Sequence, residues 1–198
     1  PLSELSLKIS DGIHATPKYV DKSDYYFING NNLKNGEIVT GGKAKCVPES
    51  EYLKYKKELT LDTVLMSING TIGNLAFYRG ERVVLGKSAA FISLLDGQCK
   101  EFVYFVLQSQ SVKQFYEFEL TGSTISNLSL RSIKDTPMPV PPSDEQIKIA
   151  AILSEMDVSV SKLCLKLVRF NSLKKALMQD LLTGKVRVKI DDKESAVA

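Results

Sequence analysis

Pro137-Met138-Pro139-Val140-Pro141-Pro142-Ser143-Asp144-Glu145-Gln146 is the stretch whose reading decides the fold. Alternating prolines hold the backbone extended and remove its N–H donors, so neither a helix nor a central strand runs through them. The next four residues read as a helix start. Ser143 can cap, and Gln146 can reach back to it as in a capping box. Asp144 and Glu145 sit where the helix dipole favours negative charge. The chain is expected to divide here, with a domain over 1–142, a helix over 143–184 and a flexible tail over 185–198.

Downstream of the prolines there is no Gly or Pro until Gly184. That is about 40 residues, or about 60 Å of helix at 1.5 Å per residue. Apolar residues recur in steps of four and three at Ile149, Leu153, Met156, Val160, Leu163, Leu167, Phe170, Leu177 and Leu181. This spacing is a coiled-coil seam. Lys174 fills the one polar slot, either as a snorkelling side chain or as a residue that sets register. A helix this long cannot bury its seam against a small domain alone. A second long helix is expected to pair with it, from a second copy in a homodimer or from another chain. Gly184 is a natural stop, and the charged, then small tail beyond it is expected to be flexible.

Upstream, the pattern is mixed. Residues 62–68 (DTVLMSI) read as a buried strand, with further β-prone runs at 25–28, 75–78, 82–85 and 89–94, punctuated by Gly80, Gly86 and Gly97. Residues 100–118 read as helix, with Phe102, Phe105, Val106, Val112, Phe115 and Tyr116 at near-helical spacing and best explained as core. The expected class is α+β: a globular domain with a curved, mainly antiparallel sheet, followed by one long helix of coiled-coil type.

Composition sets bounds without deciding function. The 198 residues are 43% hydrophobic and 25% charged, with a formal net charge of +3, which is ordinary for a globular protein. Residues 1–142 carry 16 Lys and Arg against 15 Asp and Glu, so any binding of nucleic acid must come from clustered charge. Cys46, Cys99 and Cys164 form no CxxC and read as reduced thiols of a cytoplasmic protein. With His14 the only histidine, a structural zinc site is not expected, nor is any other metal site. No apolar run approaches the roughly 18–20 residues of a membrane span, and no signal peptide is read.

No catalytic set emerges. There is no GxxxxGK[ST], GxGxxG after a strand, GxSxG or HExxH. His14 sits in a loop and reads as an exposed or hydrogen-bonded side chain rather than a general base. Gly70-Thr71-Ile72-Gly73 can cradle a phosphate through backbone amides but reads more simply as a hairpin turn. The [DN]PP[YF] loop of base-amine methyl transfer is absent, since Val140-Pro141-Pro142-Ser143 lacks both its polar lead and its aromatic. The informative residues are the polar loops at 14–19, 29–32, 69–74, 86–88 and 122–127, rich in Asn, Ser, Thr, Lys and Gly. Such side chains contact phosphates and read base edges.

Three strings then resemble the specificity (S) subunits of Type I restriction-modification systems. They are Gly122-Ser123-Thr124-Ile125-Ser126-Asn127-Leu128-Ser129, the proline run into Glu145-Gln146-Ile147-Lys148-Ile149-Ala150, and Lys174-Lys175-Ala176-Leu177-Met178-Gln179-Asp180-Leu181-Leu182-Thr183-Gly184-Lys185-Val186-Arg187. Asp11-Gly12-Ile13-His14-Ala15-Thr16-Pro17 and Ser67-Ile68-Asn69-Gly70-Thr71-Ile72-Gly73 support them. The resemblance implies a non-catalytic subunit whose target-recognition domain reads one half of a split site in double-stranded DNA. It implies helices that pair antiparallel as a ruler, and docked methyltransferase (M) and restriction (R) subunits. S-adenosylmethionine, ATP and Mg would then sit on those partners, with no cofactor on this chain. A usual member carries two recognition domains and two helices, and a Trp-containing segment before the first strand. This chain has one of each and no Trp, so it resembles a half-subunit that a homodimer would complete.

The DNA-contact candidates, taken from loop position, are Lys18, Tyr19, Asn31, Asn69, Thr71, Lys87, Ser88, Ser123, Thr124 and Asn127. A second reading keeps the same seam but makes the chain a dimeric protein–protein adaptor that reads no DNA sequence.

Overall fold

The structure, a computed structural model, describes residues 1–42, 44–120 and 127–189. The chain separates into two compact units, Pro1–Ala151 and Ile152–Ala198.

In the first unit, strand β1 (Ser6–Asp11) follows a short 3-10 turn, and β2 (Tyr26–Ile28) follows a long connection. Strands β3 (Leu33–Lys34) and β4 (Glu37–Ile38) form a tight hairpin. Its two turn residues, Asn35 and Gly36, have φ of 49° and 79°, the left-handed pair that a two-residue hairpin turn requires. Then come β5 (Lys45–Cys46), α1 (Glu49–Tyr55), β6 (Thr63–Ser67), β7 (Leu75–Phe77), β8 (Val83–Leu85) and β9 (Ala89–Leu94). Helices α2 (Lys100–Leu107), α3 (Gln110–Leu120) and α4 (Leu130–Lys134) complete the unit.

The expected α+β class and antiparallel strands are present. One sheet has the order β1-β9-β6-β7 and is antiparallel throughout. A second has the order β5-β2-β8, with β2 and β8 parallel. The sheet is thus broken into small pieces, joined by single bridges at Ile13–Gly86 and Gly36–Ala76, while a bridge at Val20–Cys46 ties the β1–β2 connection to β5. Helix 100–118 is two helices. The hydroxyl of Ser109 accepts from the Val112 N–H at 3.4 Å, and a serine in that place starts a new helix.

All five residues of β6 are buried, because the four-stranded sheet is covered on both faces. On one face Ile9, Val64, Met66 and Ile92 pack with Val103, Leu107, Val112, Tyr116 and Ile133 of the helices. On the other, Leu65 and Phe91 pack with Ile28, Leu33, Ile38, Val83 and Leu85. A strand buried on both sides reads as a continuous apolar run rather than an alternating one. That explains DTVLMSI.

The sheets meet at a junction too tight for side chains. A Cβ on Gly12 would lie 2.1 Å from the Leu85 carbonyl oxygen, and one on Gly86 would lie 2.4 Å from Asn29 Oδ1. Around them, Ile13 N–H donates to Leu85 O at 2.7 Å, Gly86 N–H to Ile28 O at 2.8 Å and Gly12 N–H to Ala89 O at 3.1 Å. Ser88 Oγ donates to Asn29 Oδ1 and accepts from Gly30 N–H, both at 3.0 Å.

Helix α5 runs Ser143–Leu182, 40 residues. Its start differs from the expected capping box. The Pro142 carbonyl already accepts from the N–H groups of Glu145 and Gln146, at 2.9 and 3.0 Å, so Ser143 lies inside the first turn and cannot cap it. Gln146, buried, instead donates from Nε2 to the Pro141 carbonyl at 2.9 Å. The far end closes on Gly184, whose φ of 71° accompanies bonds from Gly184 N–H to Leu181 O and from Val186 N–H to Asp180 O. This is a left-handed glycine cap. Lys185 adds an ion pair to Asp180 at 3.2 Å.

Of the seam residues, Ile149 is half-buried. Leu153, Met156, Val160, Leu163, Leu167, Phe170, Leu177 and Leu181 are exposed, Leu163 at 65%. Val158, Leu165 and Val168 are exposed too; at 100° per residue they fall off that stripe. Residues 170–182 line an apolar groove of about 500 Å³, in which Lys174 takes part. No helix among the described residues is long and apolar enough to cross a membrane.

Two outcomes follow from this packing. Gly12→Ala should cost at least about 2 kcal/mol, because the clash is with backbone that cannot rotate away; the urea midpoint measures it. Tyr116 is buried, and that burial pushes its phenol up to about 12 from an ordinary 10, the hydrogen bond with Thr136 at 2.9 Å pulling slightly the other way. The folded state therefore keeps a proton that the unfolded chain releases near 10. That stability is whole below pH 10 and lost as pH climbs towards 12. Tyr116→Phe should flatten the fall of Tm across that window.

Candidate functional site

The antiparallel order of the main sheet brings three loops to one end. β1 and β6 finish there, and β9 begins there. Asp11 is the last residue of β1, Asn69 follows β6, and Lys87 precedes β9. The chain returns from the helices at the same place. Asn127 bridges Asn69, and Leu128 N–H donates to Ile68 O at 2.8 Å. Ser129 then caps α4 by accepting from Ser132 N–H at 3.0 Å.

Together Asp11, His14, Asn69, Lys87, Asn127 and Ser129 line a cleft of about 280 Å³. Ile68, Leu128 and Leu130 line it as well, so the polar groups (one lysine, one carboxylate, one imidazole and three neutral hydrogen-bonding side chains) stand on a partly apolar wall. His14 Nε2 lies 2.9 Å from Asp11 Oδ2. Among the described residues no three His, Cys, Asp or Glu stand close enough to share a metal ion. Cys46, Cys99 and Cys164 form no disulfide.

Three of the ten loop candidates, Asn69, Lys87 and Asn127, thus share one cleft. Thr71 is exposed in the β6–β7 hairpin loop nearby, and its carbonyl accepts from Ser67 Oγ at 2.6 Å. Asn31 is exposed in a 3-10 turn, next to the Gly30 that Ser88 holds. Ser88 itself has its hydroxyl engaged at the sheet junction. Lys18 and Tyr19 stand elsewhere, on the segment that leads to the edge of β5. There Lys18 N–H donates to Glu51 at 3.1 Å, and Tyr19 packs edge-on against Phe27. Lys45 Nζ sits 4.4 Å over the Tyr19 ring, within cation–π range. Ser123 and Thr124 lie outside the described residues.

Sequence reasoning passed over Asp11, His14 and Lys45. Asp11 and His14 were legible as neighbours in a loop. Their place beside Asn69 and Lys87 depends on strand register, which no local pattern prints.

Comparison with known proteins supplies the family. The family model described as Type I restriction modification DNA specificity domain matches residues 12–163. The MjaIX specificity subunit of a Type I restriction enzyme from Methanocaldococcus jannaschii is 25% identical over 144 residues, covering 72% of this chain and 30% of that protein. The putative MjaX specificity subunit of the same organism is 27% identical over 157 residues, covering 74% and 36%. Among solved structures, the S subunit of a Type I system from M. genitalium superposes with a TM-score of 0.59 at 20% identity, over 90% of this chain and 44% of that one. The HsdS subunit of Thermoanaerobacter tengcongensis gives 0.60 at 14%, over 96% and 50%. The chain spans about a third of the curated relatives and at most half of these solved chains. The matched domain covers most of the globular unit and the first half of α5, so the chain belongs to the family of Type I restriction modification DNA specificity domains.

Proposed function

We propose that this chain is a sequence-reading DNA-binding unit of a Type I restriction-modification enzyme, recognising one half of a bipartite duplex target and carrying no catalysis itself. The observation that carries the reading is the convergence of Asn69, Lys87 and Asn127 on one cleft at a strand-end surface, in a domain of this family. Asparagine can pair bidentately with adenine, and lysine contacts guanine or phosphate. Thr71, Asn31, Lys18, Tyr19, Ser123 and Thr124 belong to the same proposed set as flanking contacts, with Ser88 as their support from behind.

Helix α5 is the second working part. Its exposed apolar stripe leaves Leu153, Met156, Val160, Leu163, Leu167, Phe170, Leu177 and Leu181 to be covered. Two copies pairing antiparallel through it would hold two reading units at a fixed separation and demand an inverted-repeat target. The apolar residues off the stripe leave room for methyltransferase and restriction subunits to dock on the same helix. Those partners would supply S-adenosylmethionine, ATP and Mg, in the cytoplasm. A chain that dimerised only as an adaptor would have no use for the polar cleft.

Two experiments test this. Repeated selection from a randomised duplex pool should enrich a gapped palindrome, and binding should weaken steeply with salt. Lys87→Gln should weaken binding to every duplex and lower the salt slope by about one. Ser88→Ala should instead cost about 1 kcal/mol of folding stability while the folded protein binds as before. Unselective binding of equal strength to all duplexes would refute sequence reading. The solution mass should be that of a dimer, and Leu163→Asp should halve it. Two monomers would mean that the stripe awaits a different chain.

A further inference from the structure

His14 is the only histidine in the chain, and its position is set by rigid parts. Asp11 ends β1, paired with Ala90 across the sheet. Gly12 behind it is pinned against Leu85, and Ile13 is bridged to Gly86. The next residue is His14, whose side chain is 74% exposed at the cleft while that of Asp11 is 21% exposed. An ionised carboxylate only accepts hydrogen bonds. The 2.9 Å contact therefore places a proton on Nε2 and holds the ring, leaving Nδ1 as its remaining polar atom.

Charge supports a role beyond a surface pair. Asp11 and Lys87 cancel within the cleft, and a carboxylate alone beside a polyanion would repel it. A ring protonated on both nitrogens would offset Asp11 and leave the cleft net positive. It also adds an Nδ1–H donor, and a charged donor makes a stronger hydrogen bond than a neutral one. Asn69, Asn127 and Lys87 line the same cleft as the ring.

We propose that His14 is a DNA-contacting residue of this cleft, oriented by Asp11, and that it meets the duplex through Nδ1, as an imidazolium donating there to a phosphate oxygen or to the O6/N7 edge of guanine. The inference rests on the reading of the chain as a DNA-binding unit. Asp11 is a positioning residue in this arrangement.

Because there is one histidine, its ring signals in an NMR spectrum of the histidine-labelled full chain need no assignment. The probe is a duplex enriched from a randomised pool by repeated binding, with a scrambled duplex alongside. On adding the enriched duplex, the His14 ring signals should shift in step with complex formation. His14→Ala should weaken binding about tenfold with unchanged circular dichroism and Tm, and His14→Gln should recover part of the loss. A loss that is uniform across duplexes, with a salt slope lower by about one, identifies a phosphate as the acceptor. A loss confined to one base pair identifies a guanine edge. If the duplex binds while the His14 signals stay put and both variants bind as the wild type does, the inference fails and the DNA-reading function stands. If no duplex binds at all, that function fails first and this inference with it.

Discussion

The close approach of backbone to backbone at Gly12 and Gly86 is the constraint on which the recognition unit depends. The four-stranded sheet and the β5-β2-β8 sheet meet where these glycines leave no room for a Cβ. Asn29, Gly30 and Ser88 fill the polar side of the same junction with a closed set of hydrogen bonds. The ends of β1, β2, β8 and the start of β9 are thereby fixed together, and the cleft inherits its shape from that.

The proline run serves the other end of the molecule. Pro141 and Pro142 give up their N–H donors, yet their carbonyls accept from Gln146 and from the first amides of α5. An extended segment and a helix start are thus joined with no free residue between them. The buried Gln146 and Ala150 tie the first turns of α5 to the recognition unit. Beyond Ala151 the apolar residues of the helix are exposed. A helix of this length gains most of its stability from packing, and the apolar stripe from Leu153 to Leu181 is exposed.

Much of this was legible before any coordinates. The long helix was readable because prolines, acidic first-turn residues and a terminal glycine are local signals, and a heptad spacing is a one-dimensional one. Strands β6 to β9 were readable as apolar or β-branched runs between glycines. Strand β1 was not, since SLKISD has a single buried residue, Ile9, and otherwise looks like a loop. Helix start chemistry was misread by one residue, because proline carbonyls compete with a serine hydroxyl and sit closer to the first amides. The candidate site was half legible. Composition marked Asn69, Lys87 and Asn127, but only antiparallel register reveals that they face one another, and that Asp11 and His14 stand between them.

Thr71, Lys87 and Asn127 are exposed in the loops, whereas Met66, Leu85 and Ala90 of the strands and Leu128 next to Asn127 are buried. The surface that faces a ligand and the interior that sets stability are therefore drawn from different positions of the same segments. Replacing an exposed side chain at these positions changes no core volume. A substitution among them can therefore alter the surface a ligand would meet and leave in place the buried residues that hold the fold.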